Sequence, residues 1–314
     1  KGAIKVALAD GWGGSMIATT ISDILFGTPK PVRARANLGV LEEKKVNVVV
    51  HGHEPSLTEM LVAASRDPEI IAAAKHVGAD GVNLAGICCT ANEVLMRHGV
   101  PVAGNFLQQE LALITGAVEL MVTDVQCCMA SLPQVARCYH TKIVTTNPIA
   151  MNPHAEAIQF ERSNARACAK SILMKAIENY PNRDPGKVAI PDARQRLVAG
   201  FSNETIFDIL GGSFRRSFRP LNDAIITGRV RGVCGIVGCT NARQGMMDQY
   251  IVTLTRELIK RNILVLQTGC AAVAGAKAGL LTPEAALELA GPSLREVCEA
   301  VGIPPVLHMG SCVD

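Results

Sequence analysis

The stretch Gly-Ile-Cys-Cys-Thr-Ala-Asn-Glu (86–93) places two adjacent cysteines directly after a short apolar run, residues 81–85. The apolar run has the length and composition of a buried strand, and residues 92–97 continue as a helix-like run that stops at His98-Gly99. The pair Cys88-Cys89 is therefore predicted to lie at the carboxyl end of a strand. The same placement of a metal-ligating residue recurs along the chain.

The composition indicates a protein with large cores and argues against nucleic acid as a partner. The chain has 314 residues, of which 48% are hydrophobic and 19% charged, and its net charge is +3. A length of this order suits about two domains. No dense block of Lys and Arg is present, so nucleic acid is not an expected partner. No uninterrupted apolar run reaches the roughly 18 residues of a membrane span, and no secretion signal is recognisable. We therefore expect a cytoplasmic location.

The eleven cysteines indicate metal or redox chemistry, because a reducing compartment disfavours a disulfide framework. No short-spaced pair of Cys-x-x-Cys motifs occurs, which argues against a zinc ribbon. The chain opens on Lys1 rather than Met and closes at Asp314 soon after a strand-like run. We expect it to be a piece of a longer polypeptide.

Strands and helices alternate along the chain, which predicts the α/β class with two Rossmann-like parallel-sheet domains that face a metal-cluster cleft. The predicted division is a leading segment at 1–30, a first domain at 31–180 and a second, truncated domain at 181–314. The predicted strands are 5–9, 46–50, 81–85, 100–103, 120–123, 143–146, 232–237, 263–267 and 306–308.

Three further local predictions concern connections and helix starts. Residues 33–39 are predicted to be a connection, and 182–187 a linker. Ser-Leu-Thr-Glu (56–59) has the form of a capping box at the start of a helix. Residues 154–179 are predicted to be one long helical region.

Six potential metal ligands follow six of the predicted strands: His53, Cys89, Cys127, Cys239, Cys270 and Cys312. In open α/β sheets, ligands bind in the crevice beyond the carboxyl ends of the strands. Five thiolates and one imidazole exceed the ligand shell of a single zinc ion. They suit a soft, sulfide-rich cluster of several metals.

The competing interpretation is that a lone buried cysteine is only a small hydrophobic side chain. That interpretation is preferred for four cysteines, but five cysteines that all follow strands are hard to attribute to chance. His51 and His53 point the same way along an extended chain, so spacing leaves the choice open, and His53 is favoured. His140 is expected at the surface and His308 in a packed strand. The four cysteines are Cys138, Cys168, Cys234 and Cys298.

Several segments together resemble the nickel-iron carbon monoxide dehydrogenases. The resemblance runs from Ala-Asp-Gly-Trp-Gly-Gly-Ser (9–15) to the last residue. The motifs that carry it are Val-His-Gly-His-Glu-Pro (50–55), Gly-Ile-Cys-Cys-Thr-Ala-Asn-Glu (86–93), Asp-Val-Gln-Cys (124–127), Val-Gly-Cys-Thr-Asn (237–241), Thr-Gly-Cys-Ala (268–271) and His-Met-Gly-Ser-Cys-Val-Asp (308–314).

The resemblance implies a Ni-4Fe-4S cluster as cofactor and a role for each candidate residue. His53 and Cys89 would bind an outlying iron, and Cys312 would bind nickel. Cys88 matches a position beside the cluster that bears on its assembly or rearrangement. Asp10 matches an acidic residue near the substrate, although a helix N-cap is an equally good interpretation of it. The residues implied for the iron-sulfur core are Cys127, Cys239 and Cys270.

The resemblance also implies the reaction and the partners. The reaction is CO + H2O ⇌ CO2 + 2H⁺ + 2e⁻, with Asp10, His53 and Cys312 at the reacting site. A ferredoxin-like electron carrier and a homodimer are implied, whereas a link to acetyl-CoA synthase stays open. The family's amino-terminal helical domain, with further 4Fe-4S clusters, and its carboxyl-terminal lysine lie outside this stretch. We expect no turnover from this stretch alone.

Two other functions remain open at this point. The first is a hybrid-cluster protein, a relative with an oxygen-bridged iron cluster that reduces hydroxylamine or nitric oxide species. Nickel analysis would separate it from a carbon monoxide dehydrogenase. The second is a non-enzymatic piece that binds zinc or carries no cluster, which iron and labile sulfide would exclude.

Overall fold

The chain divides into two compact units. The central unit comprises residues 35–94 and 100–194, and the terminal unit comprises 1–34, 95–99 and 195–314. The structure is a computed structural model that describes residues 1–241, 243, 248–312 and 314, apart from the side chains of residues 10, 15 and 210–215. The domain boundaries predicted near residues 30 and 180 stay predictions.

Helices and strands alternate through most of the chain. The helices are α1 (Gly2–Gly11), α2 (Ala18–Phe26), α3 (Pro55–Ser65), α4 (Pro68–His76), α5 (Cys88–His98), α6 (Gln109–Ile114), α7 (Leu132–Ala136), α8 (Ala165–Asn179), α9 (Asn203–Arg215), α10 (Arg219–Ile226), α11 (Gln249–Lys260), α12 (Gly269–Lys277), α13 (Pro283–Leu289) and α14 (Pro292–Val301). The strands are β1 (Val32–Ala36), β2 (Val46–His51), β3 (Val82–Ile87), β4 (Val102–Gly104), β5 (Val118–Thr123), β6 (Lys142–Thr145), β7 (Glu156–Ala157), β8 (Gln195–Ala199), β9 (Gly232–Ile236), β10 (Ile263–Thr268) and β11 (Val306–Gly310).

The central unit contains parallel strands in the order β7-β6-β5-β2-β3-β4, with the end of β1 beside β4. Strand β2 pairs with β3 on one side and with β5 on the other. The chain builds outward from β2 to β3 and β4 and then returns to place β5 on the opposite side. The strand order therefore reverses between β2 and β5, which is where open α/β sheets form a crevice.

The core of the central unit follows from its apolar spacing. Every residue of β2 is buried, as its valine-rich sequence predicts for a strand covered on both faces. Helix α8 buries Ala169, Ile172, Leu173 and Ala176, which recur at the three- and four-residue spacing of one helix face. This face belongs to a core cluster that also includes residues of β2 and α3, so the sheet and helices share one interior.

The terminal unit has parallel strands in the order β8-β11-β10-β9. The ends of β10 and β11 lie level, since Thr268 pairs with Gly310. Helix α12 is buried from Gly269 to Ala276, as expected for a helix that is apolar on all sides. The predicted α/β class with parallel strands is confirmed in both units.

The prediction of a strand at residues 5–9 is wrong, because this segment lies within α1. Ala and Leu dominate it, and both favour helix, while a five-residue window cannot distinguish strand from helix. The segment leaves large apolar side chains exposed, including Val6 and Leu8. Among the described residues, no helix combines the length and apolar character needed to cross a bilayer.

Two predictions about strands and helix length are also wrong. Residues 32–36 form β1 rather than a connection, since Arg33 and Arg35 alternate with more buried neighbours, the period of a half-buried strand. The helix predicted from 154 begins only at Ala165. Residues 156–157 instead pair with β6 as β7, a long-range contact that overrides local propensity.

Two helix starts lie earlier than predicted. Helix α3 begins at Pro55, whose fixed φ suits the first turn of a helix, so Ser56 is inside the helix and caps nothing. Helix α5 begins at Cys88, so the cysteine pair lies in the first turn of a helix rather than in a loop.

His140 and Cys138 also differ from their predicted environments. The side chain of His140 is only 5% exposed, and its Nε2 lies 2.8 Å from Glu119 Oε1. Cys138 is exposed beyond the end of α7 rather than packed in a helix.

A buried ion pair ties together the amino ends of the central strands. The Glu119 carboxylate is fully buried and accepts hydrogen bonds from Arg183 Nε at 2.7 Å and from the Asn47 backbone at 2.6 Å. The Arg183 guanidinium also donates to the Lys45 carbonyl at 2.8 Å. The pair thus links the segment after α8 to the starts of β2 and β5.

Replacing Arg183 by Met is expected to destabilise the central unit by about 3–5 kcal/mol, since Glu119 is then left buried without its cation. Native-state hydrogen exchange of the β2 and β5 amides in the complete protein would measure the change. The double variant Arg183→Met, Glu119→Leu should regain part of the loss because it removes the isolated charge. Parental protection in the single variant would contradict this role.

His308 is a buried neutral histidine in β11. Its exposed fraction is 0%, and burial lowers its pKa to about 4, although the Asp314 carboxylate acts in the opposite direction. The backbone N–H of Gly310 donates to His308 Nδ1 at 3.2 Å. Protonation at Nδ1 would remove that acceptor, so the folded chain favours the neutral ring.

Acid is therefore expected to destabilise the terminal unit through His308. The unfolded histidine takes up a proton below its ordinary pKa near 6.5, whereas the folded one does so only near 4. Stability is complete above pH 6.5 and falls between pH 6.5 and 4, by about 3 kcal/mol at most. Urea unfolding at pH 7 and pH 4.5 should show a smaller decrease for His308→Asn, whose amide oxygen can replace Nδ1. An equal decrease in both proteins would exclude His308 as the cause.

Candidate metal centre

The reversal of strand order in the central unit places two loops side by side. Strand β2 ends at His51 and continues into Gly52-His53, while β5 ends at Thr123 and continues into Asp124–Cys127. His51 and Thr123 are paired in the sheet, so the two loops begin next to each other at the same edge of the sheet. This arrangement positions the predicted ligands His53 and Cys127.

The structure brings the His53 ring and the Cys127 thiol together. Cys127 Sγ lies 3.9 Å from His53 Nε2, and His53 Nδ1 lies 3.1 Å from the Val125 carbonyl oxygen. That carbonyl can only accept, so the contact assigns the proton to Nδ1. Nε2 donates to Cys127 Sγ only while both ring nitrogens are protonated. Once Nε2 loses its proton, it carries the lone pair that a metal needs, and the carbonyl keeps the ring oriented.

Electrostatics favour the ionised form of Cys127. A hydrogen bond from the Cys88 thiol, followed by one from the His53 ring, lowers the pKa of Cys127 to about 4 despite partial burial. Burial acts to lower the pKa of His53, but the hydrogen bond and charge of Cys127 outweigh it and raise that pKa. A thiolate is the form of cysteine that binds metals.

The two cysteines of α5 are enclosed beside this site. Cys88 and Cys89 are 0% and 4% exposed. Cys88 has the left-handed φ of 64°, uncommon for a residue with a Cβ.

Cys128 behaves differently from Cys127, because burial raises its pKa to about 12. The structure therefore favours the thiolate form of Cys127 and the neutral thiol form of Cys128.

The Cys127 loop has an unusual backbone that other side chains hold in place. Gln126 and Cys127 have φ values of 61° and 57°. Gln109 of α6 donates from Nε2 to the Cys127 carbonyl at 2.7 Å, and its Oε1 accepts from the Met129 N–H at 2.9 Å. Asp124 holds the other side of the loop. Sequence reasoning missed both side chains, although Asp124 belongs to the motif that was noted.

Asp124 is the most connected buried group at this edge. Its residue exposure is 3%, and its carboxylate accepts from the backbone N–H groups of His53 at 2.5 Å and Glu54 at 3.0 Å, and from that of Val125. Burial raises the pKa of Asp124, and these three hydrogen bonds oppose the rise. The carboxylate thus joins the loop after β2 to the loop after β5.

His51, the alternative to His53, is 1% exposed, and burial lowers its pKa. Gln109 and the Ile87 carbonyl oppose that shift, but neither ring nitrogen has a hydrogen-bond partner of acceptable geometry among the described residues. The contact with Cys127 belongs to His53, so His53 stays the favoured ligand.

In the terminal unit, three cysteines follow three adjacent strands. Cys239 is exposed after β9, Cys270 is 2% exposed in the first turn of α12, and Cys312 follows β11. The Ala271 N–H donates to the Gly238 carbonyl at 3.0 Å, which holds the Cys239 loop against the start of α12.

Cys312 lies close to the backbone before Cys270. A Cβ added at Gly269 would lie 2.4 Å from Cys312 Sγ, and Gly269 has φ +60°. Only glycine meets both demands. The Asp314 carboxylate accepts from the Ser311 N–H at 2.6 Å and from the Thr19 hydroxyl at 2.9 Å, and so it ties the Cys312 loop to α2. The side chain of Asp10 lies outside the described part of the chain.

The candidate ligands of each unit have the chemistry that suits an iron-sulfur cluster. No three His, Cys, Asp or Glu side chains of the described residues group together as ligands of one ion. In an iron-sulfur cluster, sulfide supplies most of the coordination and each metal takes few protein ligands. Soft thiolates with one imidazole are suitable ligands for nickel and iron.

Comparison with known proteins connects these features to one family. The Prismane/CO dehydrogenase family matches residues 1–314. Carbon monoxide dehydrogenase 1 of Methanosarcina acetivorans is 56% identical, with 99% of this chain and 49% of that protein covered. The carbon monoxide dehydrogenase/acetyl-CoA synthase subunit beta of Moorella thermoacetica is 46% identical, with 99% and 47% covered.

A solved structure agrees with the sequence relatives. The nickel-free, as-isolated carbon monoxide dehydrogenase of Thermococcus sp. AM4, produced without the CooC maturase, has a TM-score of 0.95 and 52% identity, with 99% of this chain and 48% of that chain covered. The chain therefore spans about half the length of the relatives it matches. These matches do not favour a hybrid-cluster protein. With a family match over its whole length, the chain belongs to the Prismane/CO dehydrogenase family.

Proposed function

We propose that the complete protein is an anaerobic carbon monoxide dehydrogenase that catalyses CO + H2O ⇌ CO2 + 2H⁺ + 2e⁻. The observation that carries the proposal is the contact between a thiolate-favouring Cys127 and the oriented ring of His53 at the strand reversal. The relatives named as carbon monoxide dehydrogenases match this chain throughout its length. Because the chain spans half of those proteins, the activity is assigned to the complete protein.

We assign the ligands of a nickel-iron-sulfur cluster to the six residues that follow strands. His53 and Cys89 would bind an outlying iron, and Cys312 would bind nickel. The remaining ligands of the iron-sulfur core would be Cys127, Cys239 and Cys270. Cys88 would stand beside the cluster as an alternative contact, in keeping with its hydrogen bond to Cys127.

When bound, the cluster would supply a soft metal site for CO and a store for two electrons. The side chains of this chain would hold and shape its environment. The Val125 carbonyl keeps Nε2 of His53 toward Cys127, while Cys88 and Cys89 are enclosed beside it. For Asp10 we propose a proton or hydrogen-bond role near the substrate.

The proposed partners follow from the same relationship. The name of the Moorella thermoacetica relative supports a link to acetyl-CoA synthase. A ferredoxin-like electron carrier, a homodimer and further 4Fe-4S clusters elsewhere in the complete protein are proposed from the family resemblance, together with a cytoplasmic location. The electron carrier and the further clusters would receive the two electrons that CO oxidation releases.

The complete protein, prepared without oxygen, is expected to contain nickel, iron and labile sulfide and to reduce a viologen dye with CO. Elemental analysis and the dye assay measure the two properties on one sample. Iron and sulfide with no nickel and no CO oxidation, after maturation with added nickel, would instead support a hybrid-cluster protein. Zinc or no metal would contradict both functions.

Replacing Cys312 by Ser in the complete protein is expected to lower nickel content and CO oxidation by more than about tenfold, because a soft ligand becomes a weak hard one. Iron and sulfide should stay close to the parental level. The matched control is Cys138→Ser, which changes an exposed thiol beyond α7 and should keep metals and activity. Parental nickel in the Cys312→Ser protein would contradict the assignment.

A further inference from the structure

The Asp124 carboxylate connects three separate segments of the central unit. Oδ1 accepts from the His53 N–H at 2.5 Å and from the Val125 N–H, and Oδ2 accepts from the Glu54 N–H at 3.0 Å and the Thr90 hydroxyl at 3.2 Å. The segments are the loop after β2, the loop after β5 and the first turn of α5. Both oxygens are thus fully engaged.

Each connected segment carries one of the proposed ligands. His53 itself donates to the carboxylate. Cys89 directly precedes Thr90, whose backbone N–H also donates to the Gly52 carbonyl at 2.8 Å. Cys127 lies three residues after Asp124, and Val125 between them both donates to Asp124 and accepts from the His53 ring. A single buried charge therefore fixes the relative positions of three ligand-bearing segments.

Gly52 is the residue that permits this arrangement. A Cβ at Gly52 would lie 1.7 Å from Asp124 Oδ1, and Gly52 has φ +135°. Any side chain there would displace the carboxylate and would also be strained in its own backbone. The position of the Asp124 carboxylate is therefore fixed by its hydrogen bonds and by its close approach to the backbone of Gly52.

We propose that Asp124 is a positioning residue for cluster binding, which sets the spacing of His53, Cys89 and Cys127 without itself binding metal. The proposal rests on the proposed function for the identity of the cluster. The part of the proposal that concerns structure, namely that one carboxylate orders three segments, does not depend on which cluster is bound. Mutation of a group that orients metal ligands typically lowers metal affinity or activity by about 10–100-fold.

The decisive variant is Asp124→Asn in the complete protein, which keeps the shape but turns one acceptor oxygen into a donor that faces N–H groups. Iron retention against a chelator is expected to weaken by about 10–100-fold. Thr90→Val, which removes only the hydroxyl contact, should have a smaller effect. The chelator assay measures binding rather than turnover.

A matched control separates positioning from general loss of stability. Asn179 is also buried, and its side chain donates to the backbone carbonyls of Glu119 at 2.8 Å and His140 at 2.7 Å, at the amino ends of the strands. Asn179→Ala should lose similar stability but keep its iron. Equal iron retention in the Asp124 and Asn179 variants, whether both are high or both are low, would overturn the proposal.

A second measurement, on the metal-free protein, makes the proposal independent of the cluster's identity. The amide hydrogens that face the new NH2 group, either His53 and Val125 at the Oδ1 position or Glu54 at the Oδ2 position, should exchange at least about tenfold faster in Asp124→Asn than in the parent, since they lose their acceptor. Amides of α8 should be unchanged. Unchanged exchange at the three sites would overturn the proposal. If exchange rises while the parent holds no nickel-iron cluster, the proposed function fails and the positioning role stands.

Discussion

The parallel alignment of strands within each unit is the constraint on which the rest of the structure depends. Parallel strands present their carboxyl ends at one edge of a sheet, so residues far apart in sequence meet where their strands end. In the central unit, the reversal between β2 and β5 leaves room for two loops at that edge. A thiol and an imidazole separated by 74 positions thereby lie 3.9 Å apart.

In both units a carboxylate lies against a glycine beside a loop that bears a proposed ligand. In the central unit Asp124 lies against Gly52, and in the terminal unit Asp314 lies against Gly310, where an added Cβ would be 2.3 Å from Asp314 Oδ2. Asp124 accepts backbone N–H groups of the loops after β2 and β5, and Asp314 accepts the Ser311 N–H of its own loop. Burying a charge is favourable only when hydrogen bonds compensate it, so the loops beside the buried Asp124 adopt their shape together with its carboxylate.

Much of the fold and part of the site could be predicted from sequence, because both depend on local pattern. Continuous apolar runs such as 46–50 identify buried strands, and the residues just beyond them identify ligand candidates. The prediction failed at β7 and at the start of α8, where a long-range pairing with β6 decides the structure. Asp124 and Gln109 could not be assigned because their partners lie on other elements, up to 71 positions away for the His53 amide.

The left-handed backbone at Gln126 and Cys127 has a consequence for Cys127 as a proposed ligand. Each such residue lies about 1–2 kcal/mol above right-handed backbone, so the loop would relax if nothing held it. The Gln109 side chain provides that restraint within the central unit. A ligand that is already rigid loses little freedom on binding. For Cys127 as a proposed ligand, the shape of the loop is therefore supplied by protein contacts alone.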